Sequence, residues 1–139
     1  MTPKELKERT KAYALRIIRL VDALPASRSA DVLGKQLLRA GTSVGANYRA
    51  ACRARSHADF ISKLGIVEEE CDESLYWMEI LVGAKKVAAS RVADLMDEGN
   101  ELLSIVVASL RTSRGRRNSQ SAIRNPQSAI QRIRNPQSK

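Results

Sequence analysis

The chain has 139 residues, enough for one domain that buries its own core without disulfides or a structural metal. Its 24 lysines and arginines exceed its 15 aspartates and glutamates, which gives a net charge of +9. No apolar run reaches about 18 residues, which argues against a membrane span, and the polar N-terminus argues against a secretion signal. Cys52 and Cys71 form no CxxC pair, which argues against a zinc site. Together these features favour a cytoplasmic protein.

The first two helices are predicted from capping residues and apolar spacing. Thr2, Pro3 and Glu5 form a helix start, and Pro25 marks the end of the first helix. The second helix is expected from about Ser29 to Arg53. The apolar positions that recur at helical spacing are Leu6, Tyr13, Ile17, Leu20 or Val21 and Leu24 in the first helix, and Leu33, Leu37, Ala40, Val44, Tyr48 and Ala51 in the second.

Two further helices complete the predicted fold. Ser56 and Asp59 open a third helix that reaches about Val87, and a fourth runs from about Ser90 to Leu110. The apolar stripes are Phe60, Leu64, Val67, Cys71, Leu75, Met78 and Val82 in the third helix, and Val92, Leu95, Met96, Leu102, Leu103, Val106 and Leu110 in the fourth. With no strand-like alternation, we expect an all-α, antiparallel up-down four-helix bundle over residues 1–111.

Residues 112–139 differ in composition from the bundle. A Gln-Ser-Ala-Ile-Arg-Asn-Pro phrase at residues 120–126 recurs over 127–136 with three inserted residues, and its prolines stop helices. Residues 111–139 contain eight basic residues and no acid. We therefore predict a basic, disordered C-terminal tail that is dispensable for folding.

The charge of the predicted bundle is split between its two halves. Residues 1–55 hold 12 basic and four acidic residues, whereas residues 56–110 hold four basic and 11 acidic residues. On the second helix Lys35, Arg39, Arg49 and Arg53 project opposite the apolar face, along roughly 27 Å of helix. They are our candidate nucleic-acid-binding residues, since such a row can follow a phosphate backbone. The alternative is a solvated face, or one that pairs with acids of the third helix in the same or a neighbouring subunit.

Two other surfaces are candidates for contacts between helices or subunits. Ile66, Trp77 and Ile80 form a second apolar patch on the third helix, too far round the helix for one core to bury, and predict a homo-oligomer interface. Gln36, Ser43 and Asn47 lie beside the apolar stripe of the second helix and predict interhelical polar contacts. Gly41 and Gly45, inside the same helix, predict a close helix–helix approach.

The sequence contains residue types of catalytic and metal sites, but not in the arrangement that such sites need. The third helix carries an acidic cluster of Glu68, Glu69, Glu70, Asp72, Glu73 and Glu79. His57 is the only histidine, and these acids fan around the outside of their helix, so we expect no metal and no cofactor. Ser56, His57 and Asp59 are the residue types of a Ser-His-Asp catalytic triad. Residues adjacent at one helix start cannot adopt the triad's hydrogen-bonded geometry, and helix capping already accounts for Ser56 and Asp59. The protein is expected not to be an enzyme.

A family resemblance rests on the segment from residue 36 to residue 77. The positions that carry it are Gln36-x-x-Arg39-Ala40, Ser43-Val44-x-x-Asn47 and Arg55-Ser56-x-x-Asp59-Phe60, followed by an acidic helix. They resemble the four-helix bundle family of the 23S rRNA intervening-sequence proteins, which includes the accessory variability proteins of diversity-generating retroelements. The resemblance implies a barrel-like homopentamer, and for the retroelement members a basic surface that binds nucleic acid and a reverse transcriptase. After Asn47 many relatives carry a glutamate, where this chain has Tyr48-Arg49-Ala50-Ala51.

The sequence is therefore compatible with two functions. The first is a non-enzymatic, homo-oligomeric accessory protein that binds RNA or DNA through phosphate contacts, with a reverse transcriptase as a candidate partner. The second is a purely structural or protein-interaction oligomer. A neighbouring reverse-transcriptase gene, or a location inside an rRNA gene, would discriminate between the two.

Overall fold

Four helices account for most of the chain. The computed structural model describes residues 1–124, and side chains as far as Arg116. The helices are α1 (Pro3–Asp22), α2 (Arg28–Cys52), α3 (His57–Gly83) and α4 (Ala89–Arg124), and no strand occurs within residues 1–124.

The first three helices begin at hydroxyl caps. The side-chain oxygen of Thr2 accepts the Glu5 N–H at 3.1 Å, and that of Ser56 accepts the Asp59 N–H at 3.0 Å, which confirms both predicted starts. For α2 the cap is Ser27, which accepts the Ala30 N–H at 3.1 Å, so the helix begins slightly earlier than predicted. Each cap satisfies one of the N–H groups that lack a partner in the first helical turn.

Consecutive helices pack against each other and the chain returns to close the bundle. The connections, residues 23–27, 53–56 and 84–88, are short, and short connections make neighbouring helices antiparallel. The α2–α3 pairing is the most extensive and the α1–α4 pairing the least. The predicted all-α four-helix bundle is confirmed, and the α1–α4 side is its open side.

The core is formed by the stripes predicted from the sequence, with a few differences. Its largest fully buried side chains are Tyr13, Ile17, Leu37, Leu64, Met78, Leu81, Leu102, Leu110, Val44, Val67, Val92 and Val106. On α3, Ile61 and Leu81 are buried, whereas the predicted Phe60 is only partly buried. A Cβ at Gly41 would collide with Ile17, and one at Gly45 would lie 3.1 Å from the Thr10 hydroxyl, which confirms the close approach of α1 and α2.

A small polar cluster crosses the middle of the core. The Ser74 hydroxyl donates to the Cys71 carbonyl at 2.6 Å, so the Tyr13 hydroxyl, 2.8 Å away, donates to Ser74. Burial raises the pKa of Tyr13 well above its usual range and raises the pKa of the Cys71 thiol to about 12. Both groups are therefore neutral, and Cys71 is not an activated nucleophile.

The ends of the last two helices differ from the prediction. Helix α3 ends at Gly83 rather than near Val87, because Lys85 adopts a left-handed conformation (φ 59°). Helix α4 continues past its predicted end at Leu110 to Arg124, so the structure places residues 112–124 in this helix. No proline interrupts this stretch, Ser113 is buried, and its carbonyl lies 2.7 Å from His57 Nε2. Residues 125–139 lie outside the described residues, and their disorder stays a prediction.

Two truncations separate the helical extension from the predicted tail. Ending the chain after Thr112 removes the Ser113–His57 hydrogen bond and should lower the free energy of unfolding by about 1 kcal/mol. Ending it after Arg124 should leave stability unchanged. Thermal unfolding followed by circular dichroism measures both. Equal midpoints for the two truncations would show that residues 113–124 do not stabilise the bundle.

Candidate nucleic-acid interface

The predicted basic stripe lies on the outer face of α2. Lys35, Arg39, Arg49 and Arg53 are all exposed, and the opposite face of the helix holds Leu37, Val44 and other core residues. Helical geometry thus places the four cations together on the surface, as the sequence predicts.

One of the four cations is already neutralised. Arg39 forms ion pairs with two carboxylates of α3, through Nη1 to Glu70 Oε2 at 2.9 Å and through Nη2 to Glu73. The predicted alternative, pairing with acids of the third helix, therefore holds at this position. Arg39 fastens α2 to α3 and has little capacity left for a phosphate.

The remaining three cations have no such partner. Lys35, Arg49 and Arg53 form no ion pair within 4.0 Å among the side chains of residues 1–116. Arg49 lies in the last turn of α2, and Arg53, four residues further and about 6 Å along the axis, is the C-cap residue that follows Cys52. Cations are favoured there because the C-terminal end of a helix carries partial negative charge. The free positive charge of the stripe is thus concentrated at this end.

Arg55 extends this end of the stripe and was missing from the predicted site. It is exposed in the turn after α2, two residues beyond Arg53. The pKa of Asp59 is lowered mainly by the hydrogen bond from Lys63, with a smaller contribution from the charge of Arg55. Helical spacing did not reveal Arg55, because it lies outside the helix.

Two acids of α4 also pair with a cation of α1. Arg9 on α1 donates from Nε to Glu98 Oε2 at 3.1 Å and from Nη2 to Glu98 Oε1 at 2.5 Å on α4, and it pairs with Glu101 at 3.2 Å. This bidentate pair bridges the open α1–α4 side of the bundle. Ion pairs between the basic residues 1–55 and the acidic residues 56–110 therefore help to hold the bundle together.

Among the described residues, Gln36, Ser43 and Asn47 form no side-chain hydrogen bond to another helix. The Ser43 hydroxyl donates to the Arg39 carbonyl at 2.6 Å, and the Asn47 amide donates to the Ser43 carbonyl at 2.8 Å. Both bonds lie inside α2, since a short polar side chain reaches the carbonyl four residues back without a neighbouring helix. Gln36 makes no side-chain hydrogen bond within the described residues. Contacts of these three with another subunit stay a prediction.

The predicted oligomer patch lies partly on the surface of α3. Ile66 is 40% exposed, whereas Trp77 and Ile80 are half-buried, and Trp77 packs against the core. Tyr76 is 50% exposed and meets Trp77 edge-on at 5.1 Å between ring centroids, so it enlarges the patch. The Trp77 indole N–H is buried and has no acceptor among the described residues.

The candidate catalytic and metal-ligating residues have structural contacts. Ser56 caps α3, Asp59 pairs with Lys63 at 2.7 Å, and His57 contacts the Ser113 carbonyl. Two of the clustered acids, Glu70 and Glu73, are taken up by Arg39. Among the described side chains no three His, Cys, Asp or Glu residues are placed to hold a metal ion.

Within residues 1–124 no helix has the length and apolarity needed to cross a membrane.

Comparisons with known proteins identify a matching protein family and a similar crystal structure. The model of a family described as 23S rRNA-intervening sequence protein matches residues 4–108. A crystal structure of a protein of unknown function from the S23 ribosomal protein family of Bacteroides thetaiotaomicron is similar, with a TM-score of 0.74 and 32% sequence identity. That likeness covers 80% of this chain and 99% of the other. No curated protein matches the chain.

Proposed function

The chain belongs to the 23S rRNA-intervening sequence protein family, and from this premise we propose that it is a non-enzymatic, homo-oligomeric protein that binds RNA or DNA through phosphate contacts. The contact surface is the C-terminal end of α2, with Arg49 and Arg53 at its centre and Lys35 and Arg55 beside it. Binding is led by charge and tolerant of sequence, since phosphate contacts carry no base information.

The proposal rests on one observation: some basic residues are neutralised by carboxylates and others are not. Arg9 and Arg39 are held by carboxylates of the acidic half, whereas Arg49 and Arg53 are exposed without an ion pair among residues 1–116. Neighbouring cations without counter-charges repel each other, and a phosphate backbone supplies the missing negative charge. The scarcity of aromatic residues, 4% of the chain, supports phosphate contacts over base stacking.

A non-enzymatic role is supported by the contacts of the reactive side chains. Three side chains with the chemistry of a nucleophile or base, Ser56, His57 and Cys71, are engaged in a helix cap, in a helix–helix contact and in the core. A catalytic base and a nucleophile must instead face each other within hydrogen-bond reach.

Assembly into a homo-oligomer, with a pentamer as the expected size, is supported by the α3 patch. Ile66 and Tyr76 expose apolar and aromatic surface beside a tryptophan, a composition typical of interface centres. A closed ring would also repeat the α2 cations and strengthen their combined field.

A reverse transcriptase of a diversity-generating retroelement is the partner we propose within this function. It follows from the family resemblance of the α2–α3 motif rather than from a contact surface of this chain. A reverse-transcriptase gene next to this gene supports it, whereas a location inside a 23S rRNA gene supports a role in the rRNA setting alone.

The second candidate, a structural oligomer without nucleic acid, is favoured by one observation. Arg39, in the middle of the α2 row, pairs with Glu70 and Glu73 instead of facing solvent freely. If Lys35, Arg49 and Arg53 pair in the same way with acids of a neighbouring subunit, the whole row becomes an interface.

A matched pair of charge reversals tests the proposal. Arg49→Glu with Arg53→Glu should weaken binding of a short RNA at low salt by about tenfold or more, because two charge-assisted contacts become repulsive. Lys4→Glu with Lys7→Glu makes the same charge change at exposed positions of α1 and should have little effect. Fluorescence anisotropy of labelled RNA gives both affinities. Equal losses in the two variants would refute a localised site and leave the structural oligomer.

A further inference from the structure

A second basic surface lies in a cleft on the open α1–α4 side, away from the α2 stripe. The cleft has a volume of about 810 Å³ and is bounded by the C-terminal half of α1, the end of α3, the α3–α4 turn and the first turn of α4. A pocket of this size holds a single small ligand rather than a duplex. Its wall carries five basic side chains, those of Arg16, Arg19, Lys85, Lys86 and Arg91.

The positive charge of this cleft has no counterpart. None of the described residues that line it is acidic, and none of its five cations forms an ion pair within 4.0 Å among residues 1–116. The bundle elsewhere neutralises cations with carboxylates, as at Arg9 and Arg39. Cations gathered in a concave site repel each other and concentrate anions, so the cleft favours a ligand with several negative charges.

One of these cations is held in an unfavourable backbone conformation. Lys85 has φ 59°, the only positive φ at a non-glycine residue in the described part of the chain. It occupies the position after α3 where glycine is preferred: its N–H donates to the Val82 carbonyl at 3.0 Å, and the Lys86 N–H donates to the Leu81 carbonyl at 2.9 Å. Glycine would be less strained there, so a lysine at this position carries a backbone cost.

The rest of the cleft lining is apolar, and we call it the floor. The aliphatic residues that line it are Leu20, Leu24, Val82, Val87 and Leu95. A ligand that combines adjacent phosphates with a planar base matches both surfaces, since the phosphates meet the cations and the base covers the aliphatic floor. Inorganic phosphate alone would leave this floor uncovered.

We propose that the cleft between the C-terminal half of α1 and the α3–α4 turn binds a nucleoside polyphosphate, either as a free nucleotide or as the 5′-triphosphate end of an RNA. Arg16, Arg19, Lys85, Lys86 and Arg91 hold the phosphates. The site is separate from the α2 stripe, so it remains if the stripe fails its own test.

Titration of the full chain with ATP and with AMP tests the charge requirement. ATP should bind about tenfold or more tightly than AMP, because its additional phosphates meet additional cations. Arg19→Gln with Lys86→Gln should lower ATP affinity about tenfold, whereas Lys4→Gln with Lys7→Gln, the same charge loss at exposed positions of α1, should change it less than about twofold. Equal losses in the two variants would overturn the proposal, since the binding would then depend on overall charge.

Lys85→Gly separates a binding role from a structural one. Glycine relieves the left-handed backbone, so this variant should unfold at a higher temperature than the wild type and yet bind ATP more weakly. Because it is expected to fold, it also covers the case in which the double variant does not. Unchanged ATP affinity in Lys85→Gly would remove this residue from the site and contradict the assignment.

Two RNA probes identify the source of the polyphosphate. A short RNA with a 5′-triphosphate is compared with the same RNA carrying a 5′-hydroxyl, in the wild type and in Arg19→Gln with Lys86→Gln. A preference for the triphosphate that the double variant loses assigns the cleft to RNA ends, and ATP binding without such a preference assigns it to free nucleotides. Absence of both at low salt would overturn the proposal.

Discussion

Replacing Gly99 with alanine is expected to destabilise the bundle, whereas the same change at Gly65 is expected to stabilise it. A Cβ at Gly99 would lie 2.7 Å from the Tyr13 hydroxyl oxygen and 2.8 Å from Leu75 Cδ2, while a Cβ at Gly65 meets nothing within 4 Å. Tyr13 cannot retreat freely, because it is fully buried and donates to Ser74. The core around Gly99 must therefore shift to admit one methyl group.

The comparison isolates packing because both glycines lie inside helices. Alanine gains about 1 kcal/mol over glycine at either position from helix propensity alone. Overpacking and a weakened Tyr13–Ser74 hydrogen bond should set Gly99→Ala about 2–3 kcal/mol below Gly65→Ala in free energy of unfolding. Urea unfolding followed by circular dichroism measures the difference. Equal stability of the two variants would show that α4 does not approach Tyr13 as closely as described.

The α3 patch supplies the second large expected effect. Trp77→Ala removes an aromatic side chain that packs on the core and is central to the patch, so it should weaken assembly by about 2 kcal/mol per contact and also lower the stability of the subunit. Ile66→Glu should weaken assembly alone, because Ile66 is 40% exposed and is not part of the core. Val32→Glu, at a position 55% exposed on α2, is the matched control.

Sedimentation velocity at micromolar concentration separates these outcomes. The wild type should sediment as a closed oligomer, Ile66→Glu as smaller species, and Val32→Glu as the wild type does. A monomeric wild type would end the assembly proposal, and a loss of assembly in Val32→Glu alone would move the interface to α2.

The helical fold could be predicted from the sequence because its signals are local. Hydroxyl caps at Thr2 and Ser56 and apolar residues at three- and four-residue spacing locate helices without knowledge of the neighbours. The end of α4 was missed because a contact distant in sequence, between His57 and Ser113, accompanies the helical extension. Composition had suggested an earlier end than this tertiary contact allows.

The candidate site was only partly predictable for the same reason. Helical geometry places Lys35, Arg39, Arg49 and Arg53 on one face, but the capture of Arg39 by Glu70 and Glu73 depends on how α2 and α3 pack. The basic cleft was not predicted at all. Its cations come from α1, the α3–α4 turn and α4, segments that are distant in sequence and meet only in the folded bundle.

The salt dependence of RNA binding tests the central claim, that free cations at the end of α2 contact phosphates. A plot of log affinity against log salt concentration has a slope of about −0.9 per duplex phosphate contacted, so losing two contacts should make the slope shallower by about 1.8. We therefore measure duplex RNA binding by the wild type, by Arg49→Glu with Arg53→Glu, and by Lys4→Glu with Lys7→Glu. The basic C-terminal residues are present in all three chains and contribute equally. A shallower slope in the α2 variant alone is the predicted result, and identical slopes in all three would contradict phosphate contact by Arg49 and Arg53.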